Sequence, residues 1–397
     1  MRKLLLCLLV VMLAGSVVCA EDIKTVVTTS GDAAKIASKL VPSLGAINLG
    51  YLKVGSSEVG SLSWHPDFKF GSFGLGADIN YPLGSAITPT GYENIVLRYV
   101  EYNDGKRGLR YGVIDNLTWG HGLLVDAYST RPSGSVLLNN EQLAYLGFVD
   151  MEQNVVRALV TKKGVYGVRA EQRINPTLTL GETYITDSNG VTPAGTTLNQ
   201  KVGGVGIDAT MPLPANFEGY AEYAQLLNHG SGWGAGFSWA QDIMVAAADF
   251  TIGYRFLDSR FVPGYFNTNY QNNPINLTSA EASGNVKNGY VAKLGLKAMG
   301  MATLNAKYEN YNDSGSATFM ADLSAVLPQD VEVAGYYQQP KFVNFSSLSF
   351  EQGAVLGYSI AYPVNTFTKM VLNYKKAYNA TIGQVEESQS YEVKINI

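Results

Sequence analysis

The sequence has few cysteines, no long internal apolar run and little charge. Its only two cysteines, Cys7 and Cys19, lie near the N-terminus, so a disulfide-stapled fold is excluded for the rest of the chain. After residue 20, no apolar run reaches the ~18 residues that a membrane-spanning helix needs. Charged residues make up 16% of the chain, below the usual ~25%, and no basic patch of nucleic-acid-binding type occurs. We therefore expect no disulfide scaffold, no helical membrane domain and no nucleic-acid partner.

The N-terminus has the features of a secretory signal peptide. Arg2 and Lys3 precede an apolar run over residues 4–13, and residues 18–20 offer a small-residue cleavage site. We predict a signal peptide over residues 1–20 and export of the mature chain. A lipoprotein modified at Cys19 is the alternative, although the residue before this cysteine is larger than such sites normally allow.

In place of charge, the chain is rich in glycine (42 residues) and tyrosine (25 residues). From about residue 164 onward, apolar and polar residues alternate in segment after segment. This period of two is that of a β-strand with one apolar face. The pattern occurs in residues 250–256, 290–297, 302–310 and 370–375, and it continues through the last seven residues, 391–397.

The predicted connections between these strands alternate in length. Short connections are predicted at residues 175–176, 212–216, 241–242, 299–301, 327–330 and 362–366. Longer polar connections are predicted at 187–199, 258–288, 340–351 and 377–388, and two brief ones at 228–231 and 312–316. Short turns at one end and longer loops at the other are typical of an outer-membrane barrel.

Together, the signal peptide, the alternation and the unequal connections resemble a Gram-negative outer-membrane β-barrel of the porin type. The resemblance implies an all-β, antiparallel transmembrane barrel over residues 46–397, closed by the C-terminal strand. A periplasmic or intraluminal segment over residues 21–45 would precede it. Counting the strand segments favours about 16 strands, with 14 and 18 as alternatives. The chain departs from such barrels by ending on Ile397 instead of Phe or Trp.

Charged residues occupy the polar face of the predicted strands. Because Arg or Lys facing lipid at mid-membrane costs about 2–4 kcal/mol, these side chains must face the lumen. A wet lumen with both charge signs suits passive passage of small polar solutes, and the alternative is a plugged or fully salt-bridged barrel. The predicted pore-lining residues are Arg169, Glu171, Arg173, Lys293, Lys307, Glu309, Glu332 and Lys375.

Residues 107–150 break the alternation and are dense in aromatic, charged and glycine residues. One interpretation is a segment that folds into the lumen and constricts it, with Arg110, Asp115, His121 and Asp126 around the opening. The alternative is two more barrel strands joined by a long loop.

Nothing in the sequence indicates catalysis, a metal or a cofactor. Only three histidines exist, and none pairs with another at the spacing of metal ligands. The glycine-rich residues 203–206 lie in a strand pattern with no helix after them, so a phosphate-binding loop is excluded. We therefore expect no catalytic residue, no metal site and no cofactor.

These observations predict an outer-membrane channel for passive diffusion of small polar solutes. Two alternatives remain: a non-conducting barrel that acts as an anchor or adhesin, and a hydrophobic-solute transporter with the N-terminal segment as a hatch. The resemblance also implies contact with outer-membrane lipid and lipopolysaccharide, and a homotrimer as one candidate assembly. It further implies recognition of residues 391–397 by the barrel-assembly machinery.

Overall fold

The fold is a closed antiparallel β-barrel with a small second sheet inside it. The computed structural model describes residues 43–54, 57–83, 95–130, 142–193, 196–243, 246–271, 274–278, 287–298, 301–312, 317–343, 354–379 and 384–396. Within these ranges, twenty strands pair with their neighbours in chain order to form the wall. The predicted signal peptide, and nearly all of the predicted segment over residues 21–45, lie outside the described residues.

The wall strands fall into an N-terminal group and a longer C-terminal group. The first six are β1 (Ser43–Val54), β2 (Ser57–Phe70), β3 (Phe73–Leu83), β4 (Ile95–Asn103), β5 (Arg107–Val113) and β8 (Leu143–Asp150). The other fourteen are β9 (Asn154–Thr161), β10 (Val165–Asn175), β11 (Leu178–Asp187), β12 (Gly203–Pro212), β13 (Phe217–Leu226), β14 (Gly230–Ile243), β15 (Ala246–Leu257), β17 (Lys287–Ala298), β18 (Ala302–Tyr311), β19 (Ala317–Leu327), β20 (Val331–Phe342), β21 (Val355–Pro363), β22 (Thr368–Asn379) and β23 (Gln384–Asn396). The inner sheet consists of β6 (Leu117–Trp119), β7 (Val125–Tyr128) and β16 (Phe266–Asn267).

The last strand closes the ring. β23 pairs antiparallel with β1, with Ile395 opposite Ile47 and Tyr391 opposite Tyr51. This pairing satisfies the backbone groups of both terminal strands and leaves no open sheet edge, which hydrocarbon would not tolerate. The prediction of an all-β antiparallel barrel closed by its C-terminal strand is confirmed.

The predicted number of about 16 strands is wrong. The described wall has twenty strands, six of which, β1–β5 and β8, lie N-terminal to β9. The missed strands include β5 and β8, which span 7 and 8 residues and form the ends of the segment that breaks the alternation. Strands this short, beside an irregular segment, present too few alternating positions to be recognised.

Connections differ in length between the two ends of the barrel, as predicted. At the end that carries the termini, neighbouring strands are separated by two to four residues, for example 71–72, 176–177 and 328–330. The opposite end carries the long connections at residues 84–94, 114–142, 188–202, 258–286 and 343–354. The long loop predicted over residues 377–388 is wrong, because β22 continues to Asn379 and β23 begins at Gln384.

The outward face of the wall is mostly apolar, with Glu182 on β11 as an exposed exception. Aromatic rings cluster there at two heights. Near the long connections, Trp233 stacks on Phe256 with 4.2 Å between ring centroids. Nearer the short turns, Trp239 packs against Phe250 at 5.5 Å. The two tryptophans are six positions apart on β14, about 20 Å along the strand, so the two clusters flank an apolar band.

Helical structure is minor in the described part of the chain, and none of its helices has the length and apolar character to cross a membrane.

Candidate functional site

The inward face of the wall carries the polar and charged residues. On β10, Val165, Gly167 and Arg169 are buried while Tyr166 and Val168 between them are exposed, so odd-numbered residues of this strand point into the lumen. Because directly opposite residues share a face, the pairing registers extend this assignment from strand to strand around the ring. The structure thus places all eight predicted pore-lining residues on the inner face. That they line a conducting path stays a prediction.

Two long connections fold back into the lumen and form the inner sheet. Residues 114–130, between β5 and β8, supply the hairpin of β6 and β7. Residues 258–278, after β15, supply β16, which pairs in parallel with β7 through Phe266 and Val125. Gly264 N also donates to Leu123 O at 2.8 Å. The two connections therefore form one unit, although more than a hundred residues separate them in sequence.

The chain reverses direction in the hairpin at two glycines, which no other residue type could easily replace. Gly120 and Gly122 have φ values of 64° and 85°, in the region that L side chains rarely adopt. A Cβ at Gly120 would also lie 2.6 Å from Glu222 Oε1 on β13. The sequence Gly-His-Gly at residues 120–122 thus lets the hairpin tip approach the wall closely.

Apolar side chains hold the inner sheet against one side of the wall. Leu124, Val125 and Phe266 are almost completely buried and belong to a single cluster with inward wall residues. The wall contributes residues from β8 to β15, among them Ala144, Leu159, Val165, Ile185, Ala224, Leu226 and Leu257. The main hydrophobic core of the described chain therefore lies inside the barrel, between the inner sheet and this side of the wall.

Charged contacts also hold the inner sheet against wall strands that lie further around the ring. Asp126 on β7 accepts hydrogen bonds from Lys293 Nζ on β17, at 3.0 Å, and from Lys307 Nζ on β18. Burial alone would raise the pKa of Asp126, but these two ammonium groups outweigh it and hold the pKa below its usual range. Arg255 on β15 donates to Gly122 O at 3.4 Å.

A second set of ion pairs lies beneath the inner sheet. Arg169 makes a bidentate contact with Asp208 at 2.6 and 3.0 Å and donates through Nε to Glu171 at 2.9 Å. Arg157 approaches the other oxygen of Glu171 at 2.6 Å. The side chains of Arg169 and Asp208 are only 5% and 6% exposed. Of the predicted pore-lining residues, Arg169 and Glu171 are therefore paired within the wall, and Arg169 is largely sealed from water.

The four predicted constriction residues do not form a single ring. Arg110 belongs to wall strand β5, donates to Glu101 at 3.0 Å and lies 4.4 Å from the ring centre of Tyr99. Asp115 is exposed at the start of the inward segment and accepts from Ser129 Oγ at 2.8 Å. His121 and Asp126 belong to the hairpin itself.

His121 sits at the hairpin tip against the wall. Its Nε2 lies 3.0 Å from Thr210 Oγ1 on β12, and its ring stacks on Tyr220 with 3.9 Å between centroids. Burial lowers the pKa of His121 to about 4. The carboxylate of Asp208 opposes this shift, whereas the cationic side chains of Lys293, Arg169 and Arg255 reinforce it.

The two interpretations of residues 107–150 each describe part of the structure. The ends are wall strands, as the alternative proposed, and residues 114–130 fold inward, as the first interpretation proposed. Sequence reasoning missed the inward course of residues 258–278, which it assigned to a long polar loop. The available signal was their apolar content, Phe261, Val262, Tyr265 and Phe266, which a solvated loop does not need.

The rest of the wall is organised differently. We call wall strands β8–β18 the covered sector and β19–β23 the open sector, because the contacts of the inner sheet described above all fall in the first. Inward side chains of the open sector contact the wall itself: Lys369 pairs with Glu332, and Asn305 on the neighbouring β18 donates to Asp322 at 2.7 Å. Glu332 is 40% exposed.

Among the described residues, no group of three histidine, cysteine or acidic side chains is arranged to hold a metal ion.

No protein-family model matches the sequence, and no curated protein matches it. Solved structures with similarity to the chain include Pseudomonas aeruginosa OccK11 (OpdR), at 9% identity and a TM-score of 0.40, covering 89% of this chain and 94% of that one. A BenF-like porin from Pseudomonas fluorescens Pf-5 has 11% identity and a TM-score of 0.41, covering 89% and 97%. Acinetobacter baumannii OccAB1 has 12% identity and a TM-score of 0.36, covering 89% and 95%. All three TM-scores are below 0.5, so we infer function from this chain's own geometry.

Proposed function

We propose that the protein is an outer-membrane channel for passive diffusion of small polar solutes, without enzymatic activity. The observation that carries this proposal is the opposite character of the two faces of one closed wall. The outward face is mostly apolar and has aromatic clusters at two heights, which suits lipid and its headgroup layers. The inward face is polar and charged, which suits water.

The size of the ring supports a wet interior. Barrels of about 16 to 18 strands leave an aqueous channel, because inward side chains cannot fill the enclosed space. In this twenty-strand ring, the inner sheet contacts only part of the wall in the described residues. It narrows the lumen, and the open sector retains exposed polar side chains such as Glu332 and Tyr336.

Conductance tests this function directly. Protein purified from the membrane fraction is reconstituted in planar lipid bilayers, and we expect stepwise single-channel currents in potassium chloride. Barrel assembly is checked on the same sample, since a folded barrel should migrate differently before and after boiling. A folded sample that never conducts would contradict the channel and favour the anchor or adhesin.

Export and outer-membrane location are part of the same proposal. The predicted signal peptide over residues 1–20 supports export, and the lipid-facing wall supports membrane insertion. Intact-mass analysis of the membrane-fraction protein should show a chain that begins at Glu21. A lipidated Cys19, or recovery of the protein from the soluble periplasm, would contradict this part of the proposal.

A further inference from the structure

We propose that solutes cross the lumen off-centre, along the inward face of the open sector, and not beside the buried ion pairs of the covered sector. This inference rests on the proposed channel function and deepens it, since it assigns the wall that solutes contact. It divides the inward charged residues of these two sectors into two groups. Those of the covered sector hold the inner sheet, and those of the open sector meet the solute.

The inner sheet and the residues next to it occupy the space in front of the covered sector. Leu123 N donates to Glu222 Oε2 on β13 at 3.1 Å, and His121 contacts Thr210 on β12. Asp126 contacts β17 and β18. A Cβ on Gly167 of β10 would lie 2.6 Å from the ring of Trp119. These contacts run across the sector, so a solute has no room between the inner sheet and this wall.

The low exposure of inward polar side chains in the covered sector agrees with the inner sheet blocking this side of the lumen. The inward charged groups Asp208, Glu222 and Arg255 are 5%, 7% and 4% exposed. Asp208 pairs with Arg169, Arg255 pairs with Glu309, and Glu222 accepts from Leu123 N, as buried polar groups require. A solute that replaced any of these contacts would leave a buried charge unpaired, which costs several kcal/mol. They are therefore poor candidates for a transit path.

The open sector offers the opposite environment. Asn373 on β22 donates to Ser390 and Glu392 on β23, at 3.0 and 3.2 Å, so its polar groups form a layer on the wall. Tyr336 is 38% exposed. Its ring lies over Gly357 of β21, where a Cβ would come within 2.2 Å of it. Ser390 is 7% exposed, so the half-buried Asn373 and Glu392, together with Tyr336, are the groups of this layer that can exchange hydrogen bonds with a passing solute.

The chemistry of this face indicates the solutes it suits. Hydroxyl and amide groups alternate with ion pairs such as Lys369 with Glu332, and neither sign of charge dominates. Such a lining replaces the hydration of hydroxyl and amide groups as they pass, and it sets no large electrostatic barrier for either sign. We infer a path for small polar solutes with weak discrimination by charge.

Single cysteines can locate this path, because both native cysteines lie within the predicted signal peptide. The matched pair is Ser359→Cys on β21 of the open sector and Thr183→Cys on β11 of the covered sector, both inward-facing and nearly isosteric. Ala334→Cys and Ala224→Cys form a second pair in case either first variant does not assemble. Each assembled channel is exposed to a small cationic methanethiosulfonate reagent during bilayer recording. The unsubstituted protein is the control for background reaction.

We expect a stepwise loss of conductance at Ser359→Cys or Ala334→Cys, and unchanged conductance at Thr183→Cys or Ala224→Cys over the same exposure. Labelling after denaturation should show a reactive thiol in every variant. Conductance loss confined to the covered sector, or equal in both sectors, would overturn the off-centre path while leaving the channel intact. Absence of conductance in the assembled, unsubstituted protein would instead overturn the channel itself, and the path with it.

Discussion

The covered and open sectors of the inner wall are built from the same kinds of residue and differ in what lies in front of them. In both, polar and charged side chains occupy inward positions of the strands. In the covered sector, Arg255 and Lys307 belong to a network that reaches the inner sheet. In the open sector, Lys369 pairs with Glu332 along the wall. Inward charges in this barrel therefore differ in role: some anchor an internal element, and others pair along the wall where we propose that solutes pass.

The largest effect should come from removing the charge of Asp126. Asp126→Asn leaves Lys293 and Lys307 without their shared carboxylate, and removing one partner of a buried pair costs about 3–5 kcal/mol. We expect the inner sheet to detach from β17 and β18, with larger single-channel conductance and faster proteolysis of residues 114–130. The matched control is Glu332→Gln, which breaks a more exposed pair and should cost no more than about 1 kcal/mol. Equal changes in the two variants would contradict the distinction between the sectors.

A smaller effect is expected at the hairpin tip. Gly120→Ala combines backbone strain at a φ of 64° with a Cβ placed 2.6 Å from Glu222 Oε1. We expect increased open-channel noise as the tip shifts from the wall. Gly105→Ala is the control, because Gly105 has a φ of 86° but no atom within 4 Å of the added Cβ, so only about 1 kcal/mol of backbone strain arises. If both variants show the same open-channel noise as the unsubstituted channel, the close approach of Gly120 to the wall does not hold the hairpin in place.

Acidification should weaken the packing of the hairpin against the wall, because His121 becomes protonated. The pKa of His121 is about 4 when the hairpin is seated, and it should return toward ~6.5 once the ring meets water. When the hairpin has left the wall, His121 therefore binds more protons at pH values between these two pKa values. The packed position of the hairpin thus becomes less stable as pH falls from about 6.5 to about 4. Above that window this group contributes no pH dependence. In bilayer recordings, we expect open-channel noise to increase as the pH falls through this window. The variant His121→Gln should show no such increase.

The smallest effect should be a change of ion selectivity in the open sector. Lys375 faces inward on β22 of the open sector, so Lys375→Glu changes the local charge there by two. We expect the reversal potential across a salt gradient to shift toward cation preference, more strongly at low salt, where screening is weaker. Lys163→Glu makes the same change at the β9–β10 turn and should shift the potential less. A larger shift from Lys163→Glu would place the path away from the open sector.

Some of these features could be predicted from the alternation alone. Parity on a strand is a local property, since successive side chains point to opposite faces. The inward positions of Arg169, Lys307 and Lys375 therefore followed from their neighbours. The strand count failed where that local signal was short, at β5 and β8. The inward course of residues 258–278 was missed because a loop carries no comparable period.

The sequence by itself therefore determined an all-β barrel, the inward face of the eight predicted pore-lining residues and the end that carries the long connections. Tertiary structure alone decided which inward charges are sealed and which remain wet. Lys293 and Lys307 contact Asp126 across sequence separations of 167 and 181 residues, and β16 meets β7 across a comparable distance. Contacts of this kind depend on two connections meeting inside a closed ring, and the period of any one strand contains no information about that meeting.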